Sequence, residues 1–358
     1  MKTLLLTVSA APLSNPAEKA ESEKNLDHAA DLLRAGKLVA IPTETVYGLA
    51  ANALDPAAVA KIFAAKDRPG WDPLIVHVSD ESMLAPLVKE VPPAASKLIA
   101  AFWPGPLTLL LPGSAAVPDA VTAGRPLVGV RLPAHPVALE IIRRAGVPVA
   151  APSANRFGHT SPTTAAHVFD DLDGRIDAVV DSGATTFGVE STVLDPCQSP
   201  MVVYRPGAIT LDQIRAVAGP VILFSEPAVQ NAIPPLALPS PGVGLRHYAP
   251  NARMVLLSVS EGPDNLLRLA QEFPGARVGI MLPSGLLPAS SATFPPGTEI
   301  FNWGAWNNSG DLAHNLFAGL RELDARGCDY ILCPVPPEEG LGIAIRDRLR
   351  KAAYPINP

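Results

Sequence analysis

The chain has 358 residues, of which 48% are hydrophobic and 17% are charged, a balance typical of a folded globular protein. Its formal net charge of -6 argues against a main role in tight, sequence-independent nucleic-acid binding. The three cysteines, Cys197, Cys328 and Cys333, have no paired spacing, which argues against a disulfide framework and indicates a reducing compartment.

The N-terminal segment looks like a secretion signal only superficially. It reads MKTLLLTVSAAP: its apolar run is short, it carries only Lys2, and it leads into an acidic stretch. A first β-strand is therefore predicted there. No apolar run in the sequence reaches the roughly 20 residues needed to span a bilayer, and a cytoplasmic protein is expected.

Strand and helix patterns then alternate through the first 222 residues. Helices are predicted at 25–35, from Asp55 onward, at 82–88, ending at Phe102, and at 136–145. Strands are predicted at 38–41, 74–76, 107–111, 128–132, 147–151, 177–181, 192–195 and 201–207. This layout is typical of an α/β sheet whose loops form a site on one side.

The segment KDRPGWDPLIVHV brings a lysine, an arginine and a histidine into one loop and strand. Lys66 ends a predicted helix, Arg68 lies in a loop stiffened by prolines, and His77 ends a short buried strand. A lysine at a helix C-terminus also complements the helix dipole, so Lys66 alone has two explanations. The positions of Arg68 and His77 favour a site.

Two further features have a functional and a structural interpretation. Thr43, Glu44, Thr45 and Tyr47 follow a predicted strand and could face a ligand, or could form a hydrogen-bonded turn. Arg131 lies inside an apolar strand, where burial without a partner is costly, so it suggests a nearby anion. An edge-strand arginine that faces water is the alternative.

Several well-known catalytic motifs are absent from the sequence: there is no GxxxxGK[ST], HExxH, GxSxG or GxGxxG at a strand–helix junction. Separated cations and hydroxyl or amide donors recur instead at strand ends and loops. They are Lys66, Arg68, His77, Arg131, Ser153, Asn155, Ser191, Arg205 and Tyr248. Such a set suits a polyanionic ligand, and the residues alone lead to a nucleotide-handling α/β enzyme.

The sequence resembles the threonylcarbamoyl-AMP synthase family along essentially its whole length. The resemblance rests on eight motifs in this order: PTETVYGL, KxRP with PLIVHV, FWPGPLTLLL, VRLPAHP, APSAN, GVEST, YRPG and RHYAP. It implies the long form of that family, with a YrdC-like twisted open sheet with helices and a concave ligand site at 1–222, a proline-rich linker or lid at 223–251 and a smaller Rossmann-like α/β domain at 252–358.

The resemblance also implies a reaction: L-threonine, bicarbonate and ATP, with Mg2+ carried by the nucleotide, give L-threonylcarbamoyl-adenylate and pyrophosphate. The product would serve a separate transferase that modifies adenosine 37 of tRNA, with direct tRNA binding weak or absent. Threonine's amine would form a carbamate that attacks the α-phosphate, and the linker would exclude water as a lid.

The family's functional residues map onto positions of this chain. The implied catalytic residues are Lys66, Arg68, Ser153 and Asn155. The implied threonine contacts are Thr45, His77, Arg131, Ala151 and Ser191. The implied ATP contacts are Arg68, Asp72, Leu127, Ser153, Ser161, Arg205 and Tyr248. Position 72 is Asp where relatives often have Asn, and the linker end PGVGLRHYAP lacks a further basic residue that relatives often carry.

Two alternatives remain at this point. The first is an RNA-binding module that uses the same cationic cleft, which the net charge and the lack of an aromatic-basic surface motif disfavour. The second is carbamoyl-adenylate chemistry in hydrogenase maturation, whose proteins carry zinc-finger and acylphosphatase-like regions that this chain lacks.

Overall fold

A computed structural model describes residues 2–225, 240, 242, 247–258, 264–286 and 294–353. The chain divides into two compact units. The first unit comprises Met1–Phe157, Pro162–Thr186 and Glu190–Val243, and the second comprises Gly158–Ser161, Phe187–Val189 and Gly244–Pro358. Most of the predicted linker at 223–251 lies outside the described residues, so the three predicted domain boundaries stay predictions.

The first unit is built on a mixed sheet that has eleven strands within residues 2–225. They are β1 (Leu4–Thr7), β2 (Val39–Ile41), β3 (Gly48–Asn52), β4 (Ile75–His77), β5 (Leu107–Pro112), β6 (Leu127–Arg131), β7 (Val149–Ala150), β8 (Ala178–Asp181), β9 (Thr192–Asp195), β10 (Met201–Arg205) and β11 (Val221–Leu223). Their order is β1-β8-β2-β3-β7-β4-β6-β5-β9-β10-β11, with parallel and antiparallel pairs mixed. The predicted α/β class is confirmed, although β3 was not predicted, because its sequence GLAAN has little β propensity.

Helices flank this sheet. They are α1 (Pro16–Arg34), α2 (Pro56–Lys66), α3 (Pro93–Phe102), α4 (Asp119–Thr122), α5 (Pro136–Ala145), α6 (Ala165–Leu172) and α7 (Leu211–Ala218). Helix α1 begins well before residue 25 because the Asn15 side chain caps it. The helix predicted at 82–88 is wrong: a single 3-10 turn, Glu81–Met83, forms there, capped by Asp80, and Pro86 interrupts any continuation.

Side-chain alternation divides the sheet into two unlike faces. Helices α2, α3, α4, α6 and α7 contribute to the apolar core on one face. Helices α1 and α5 pack on the other face, against β1, β8, β2, β3 and β7. The rest of that second face carries a small apolar cluster of Ile75, Leu110 and Val193, packed by Leu127 and Tyr204. Among residues 2–225, no helix contributes to this cluster.

The second unit has a parallel sheet of its own. Its described strands are β12 (Arg253–Ser258), β13 (Val278–Ser284), β14 (Glu299–Ala305) and β15 (Tyr330–Val335), in the order β12-β15-β13-β14. Its described helices are α8 (Asp264–Ala270), α9 (Ser309–Ala325) and α10 (Leu341–Ala352). All three strand pairs are parallel, so the predicted second α/β domain is confirmed. No helix in the described ranges is long and apolar enough to cross a bilayer.

Candidate active site

A row of polar side chains crosses the part of the sheet face that α1 and α5 leave uncovered. His77 and Arg131 are register partners in the parallel pair β4–β6, and Thr108 is the partner of Val193 in β5–β9. Because paired residues point to the same face, these side chains share the face of the small apolar cluster around Val193. The sequence led us to expect polar groups at strand ends on one side of the sheet, and His77 and Arg131 are indeed the last residues of β4 and β6.

Arg205 joins this row through a β-bulge in β10. Val203 pairs with Leu194, which lies in the opposite core, and the register then shifts so that Arg205 pairs with Val193. Without the shift, residues 203 and 205 would point to the same face. The Arg205 guanidinium donates hydrogen bonds to the Ser191 carbonyl at 3.0 Å and to its hydroxyl at 3.1 Å.

Arg131 is 3% exposed and is held by neighbouring loops. Its Nε donates to the Gly105 carbonyl at 3.2 Å, its Nη1 donates to the Thr45 hydroxyl at 2.9 Å, and its Nη2 lies 2.5 Å from Oε1 of Glu44. The alternative of an edge arginine that faces water is therefore wrong. The 43–47 segment is also a hydrogen-bonded turn, since the Thr43 hydroxyl contacts that of Thr45 at 2.8 Å.

His77 is buried next to two arginines. Burial lowers the pKa of His77 to about 3, and the positive charges of Arg131 and Arg205 act in the same direction. Its Nδ1 lies 3.4 Å from the Ile75 carbonyl. The imidazole is therefore neutral near pH 7, where it can offer one donor and one acceptor but no charge.

Lys66 ties the end of α2 to the APSAN segment. Its ammonium donates to the carbonyls of Ser153 and Asn155, at 2.5 Å for Ser153. Lys66 is 1% exposed and lies in the last turn of α2, as the helix-dipole explanation requires; its role in a ligand site stays a prediction. The following residue, Asp67, adopts a left-handed conformation with φ 54, which ends the helix and starts the Arg68 loop.

Arg68 and Asp72 form a buried ion pair, with Nη2 2.9 Å from Oδ2. The same Nη2 donates to the Pro73 carbonyl at 2.8 Å. Burial raises the pKa of Asp72, and the charges of Arg68, Lys66 and Arg205 act in the opposite direction. The APSAN segment, which Lys66 contacts at Ser153, also donates from the Ala151 amide to the Ile75 carbonyl of the strand that carries His77, so the Lys66–Arg68 cations and the His77–Arg131 row adjoin the same segment of the first unit.

The remaining predicted residues lie as follows. Leu127 begins β6 and packs on the small apolar cluster, and the amide of Ala151 donates to the Ile75 carbonyl at 2.9 Å. Ser161 and Tyr248 belong to the second unit. There Tyr248 has a φ of 65, and its ring lies 5.5 Å from the Phe317 ring. Their roles as ligand contacts stay predictions.

Two residues of the site escaped the assignment made from sequence. Thr108 contacts the Ser191 hydroxyl at 2.8 Å, but in the sequence it is one threonine inside the apolar run LTLLL. Thr108 is identified as a site residue only by the pairing of β5 with β9, which places its side chain on the site face. Glu44 was noted as a residue that could face a ligand, and Arg131 as one that suggests a nearby anion; the structure shows that Glu44 is such an anion, a pairing that the sequence did not identify.

Two family models together match most of the chain. One is described as telomere recombination (Sua5_yciO_yrdC) and matches residues 31–207. The other is described as the threonylcarbamoyl-AMP synthase C-terminal domain and matches residues 209–354. Two relatives named threonylcarbamoyl-AMP synthase are similar in length: that of Pyrococcus abyssi is 45% identical over 91% of this chain and 93% of its own, and that of Bacillus subtilis is 44% identical over 94% and 95%.

A solved structure of P. abyssi Sua5 complexed with L-threonine has a TM-score of 0.86, 41% sequence identity and coverage of 98% of each chain. The fold and the site thus define a Sua5/YciO/YrdC-type protein with a second α/β domain. The chain belongs to the threonylcarbamoyl-AMP synthase family.

Proposed function

We propose that the protein makes L-threonylcarbamoyl-adenylate from L-threonine, bicarbonate and ATP, with release of pyrophosphate. The observation that carries this proposal is a set of four buried cationic side chains in the first unit: Lys66, Arg68, Arg131 and Arg205. One arginine suits the carboxylate of an amino acid, and the remaining cations suit the phosphates of a nucleotide. The related P. abyssi protein complexed with L-threonine supports the choice of amino acid.

In this proposal the two substrates bind different parts of the site. Threonine contacts are provided by Thr45, His77, Arg131, Ala151 and Ser191. ATP contacts are provided by Arg68, Asp72, Leu127, Ser153, Ser161, Arg205 and Tyr248, and Lys66, Arg68, Ser153 and Asn155 act in catalysis. The neutral imidazole of His77 suits a hydroxyl group, since it can donate or accept one hydrogen bond.

The chemistry needs mainly positioning and charge neutralisation. The neutral threonine amine first forms a carbamate, either by adding to CO2 with loss of a proton or by condensing with bicarbonate with release of water. A carbamate oxygen then attacks the α-phosphorus in line: the new O–P bond forms, the bond to the bridging oxygen breaks, and pyrophosphate leaves with its electron pair. Lys66, Arg68 and Arg205 stabilise the negative charge that accumulates on the phosphoryl oxygens.

The residues present fit a Mg2+ ion that is carried by the nucleotide. Among the described residues there is no group of three or more His, Cys, Asp or Glu that could hold a metal, whereas Mg2+ often takes one carboxylate plus phosphates and waters. Oδ1 of Asp72 has no hydrogen-bond partner among these residues and is fully buried, so Asp72 would be its protein ligand. Such an ion would neutralise phosphate charge.

The product would be passed to a separate tRNA threonylcarbamoyl transferase that modifies adenosine 37. An acyl-adenylate of this kind is easily hydrolysed, so a closed site or rapid transfer protects it. We place these steps in the cytoplasm, with direct tRNA binding weak or absent, as the net charge of -6 suggests.

The test is pyrophosphate release from ATP with and without L-threonine and bicarbonate. We expect release only when both are present, together with a threonine-derived adenylate among the products. Pyrophosphate release that depends on a different amine would support the same class of reaction with a substrate other than L-threonine. No release in any mixture by the folded protein, combined with salt-sensitive RNA binding, would favour an RNA-binding module instead.

A further inference from the structure

Glu44 is a buried carboxylate with unused hydrogen-bonding capacity. It is 5% exposed and lies in the loop between β2 and β3, where its main-chain carbonyl accepts from the Thr186 amide at 3.1 Å. Its Oε1 lies 2.5 Å from Nη2 of Arg131. Even so, among the described residues neither carboxylate oxygen accepts a hydrogen bond, and Nη2 donates none. The contact is therefore a close charge pair that is not aligned as a hydrogen bond.

Nearby protein donors are already committed elsewhere. The Thr43 hydroxyl contacts the Val46 carbonyl at 2.6 Å and the Thr45 hydroxyl at 2.8 Å. The Thr45 hydroxyl in turn accepts from Nη1 of Arg131. Oε2 of Glu44 has no hydrogen-bond partner among the described residues, and a buried carboxylate oxygen without a donor destabilises the folded protein by about 1–3 kcal/mol or more, so the arrangement indicates that a ligand supplies the donor.

The charge of Glu44 also acts on His135. Burial lowers the pKa of His135, and Glu44 acts in the opposite direction. Nδ1 of His135 also has no hydrogen-bond partner within the described ranges. Glu44, Arg131 and this half-buried imidazole thus carry side-chain atoms that no hydrogen bond among the described residues pairs.

We propose that Glu44 binds the α-ammonium group of the amino-acid substrate and that, with Arg131, it selects a zwitterion. This inference rests on the proposed function and names a residue outside its threonine contacts. An ammonium group offers three donors, which matches two carboxylate oxygens that accept none. Arg131 and Glu44 together carry no net charge, so a zwitterion enters without leaving a buried charge uncompensated.

The same charges explain how an α-hydroxy acid would be rejected. It would bring a carboxylate to Arg131 but no cation to Glu44, and the two anions would then lie close together without compensation. Removing the charge of Glu44 should therefore weaken the binding of the amino acid and not that of the hydroxy acid. A residue that only holds Arg131 in place would affect both ligands alike.

The test compares the dissociation constants of L-threonine and (2S,3R)-2,3-dihydroxybutanoate for the full chain, by calorimetry. In the Glu44→Gln variant we expect L-threonine binding to weaken roughly 10- to 100-fold, while hydroxy-acid binding changes less than about threefold or becomes tighter. The matched control is Asp195→Asn, which alters a buried carboxylate that accepts from the Cys197 amide at 2.9 Å and from Gln198 at 2.7 Å. It should leave both affinities unchanged.

Equal losses for the two ligands, or no loss for threonine, would overturn the role of Glu44 and leave the proposed function intact. Failure of the wild type to bind L-threonine would overturn the proposed function and this role together. If the Glu44→Gln variant does not fold, a crystal structure of the wild type with L-threonine decides. A threonine nitrogen within about 3.2 Å of a Glu44 oxygen supports the proposal, and a separation beyond about 4 Å overturns it.

Discussion

Lys66 and Lys61 on helix α2 show how the surroundings of a lysine determine its role. Both ammonium groups donate to backbone carbonyls, Lys66 to Ser153 and Asn155 and Lys61 to Gly36. Only Lys66 lies among the cations around Asp72. We expect Lys66→Met to lower the rate of threonine-dependent pyrophosphate release by about 100-fold or more, because under the proposed function it removes a preorganised positive charge that stabilises the phosphates.

Lys61→Met is the matched control, since it removes a lysine and a backbone contact from the same helix. Its rate should stay within about twofold of the wild type, and both variants should keep the far-ultraviolet circular dichroism of the parent. Equal losses in the two variants would mean that α2 is merely destabilised. A fully active Lys66→Met protein would remove Lys66 from the catalytic group.

His77 should make the stability of the protein sensitive to mild acid. Its pKa is about 3 in the folded chain and about 6.5 in an unfolded one. Below pH 6.5 the unfolded chain therefore binds a proton that the folded chain does not, and the free energy of unfolding falls as the pH drops. At about 1.4 kcal/mol per pH unit, the loss from this group reaches about 2 kcal/mol at pH 5.

Urea unfolding at pH 7 and pH 5 measures this effect in the wild type and in His77→Gln. The variant has no group that titrates at position 77. Between pH 7 and pH 5 its free energy of unfolding should therefore fall by about 2 kcal/mol less than that of the wild type. Parallel losses in the two proteins would show that His77 is protonated in the folded chain and that burial does not suppress its charge.

At the scale of elements, the corner between α3 and β5 positions Arg131. The Gly105 carbonyl accepts from Nε of Arg131, and its amide donates to the Leu132 carbonyl at 2.8 Å. A Cβ at this position would lie 2.3 Å from the Phe102 carbonyl oxygen. We expect Gly105→Ala to lower the free energy of unfolding by about 1–3 kcal/mol and to weaken L-threonine binding, because the corner must move.

Gly70→Ala tests whether this effect belongs to the corner. Gly70 also lies in a loop of the site, but a Cβ there would meet no atom within 4 Å. The free energy of unfolding of Gly70→Ala, measured by urea unfolding, should stay within about 0.5 kcal/mol of that of the wild type. Its free energy of binding L-threonine should stay within the same range. A tolerated Gly105→Ala would show that the corner relaxes freely.

The elements that could be predicted from sequence are those whose determinants are local. Helix α5 was predicted at its observed bounds because a proline begins it and Gly146 ends it. The bulge that turns the Arg205 side chain toward the site face was not predicted, because it depends on the pairing of β10 with β9. Likewise, motif resemblance proposed most residues of the candidate site, whose roles stay predictions, but it did not indicate the Glu44–Arg131 contact, which joins two segments distant in sequence.

At the scale of the whole molecule, net charge limits the choice of partners. At a formal net charge of -6, nonspecific attraction to a phosphate backbone is weak. We expect the dissociation constant for unmodified tRNA to be larger than about 10 μM at 150 mM salt. Fluorescence anisotropy measures it. Submicromolar binding that persists at 200 mM salt would contradict this expectation and would mean that a local basic surface outweighs the net charge.

The bulge and the strand register also restrict how the chain can vary in length. An extra or missing residue inside β4, β5, β6 or β9 would turn the following side chains to the opposite face of the sheet. In β6, for example, an apolar neighbour such as Val130 would then face the site in place of Arg131. In β10 the extra residue is already present, and deleting it would point Arg205 into the opposite core. Homologues that keep this site can therefore gain or lose residues in the connecting loops, but not within β4, β5, β6, β9 or β10.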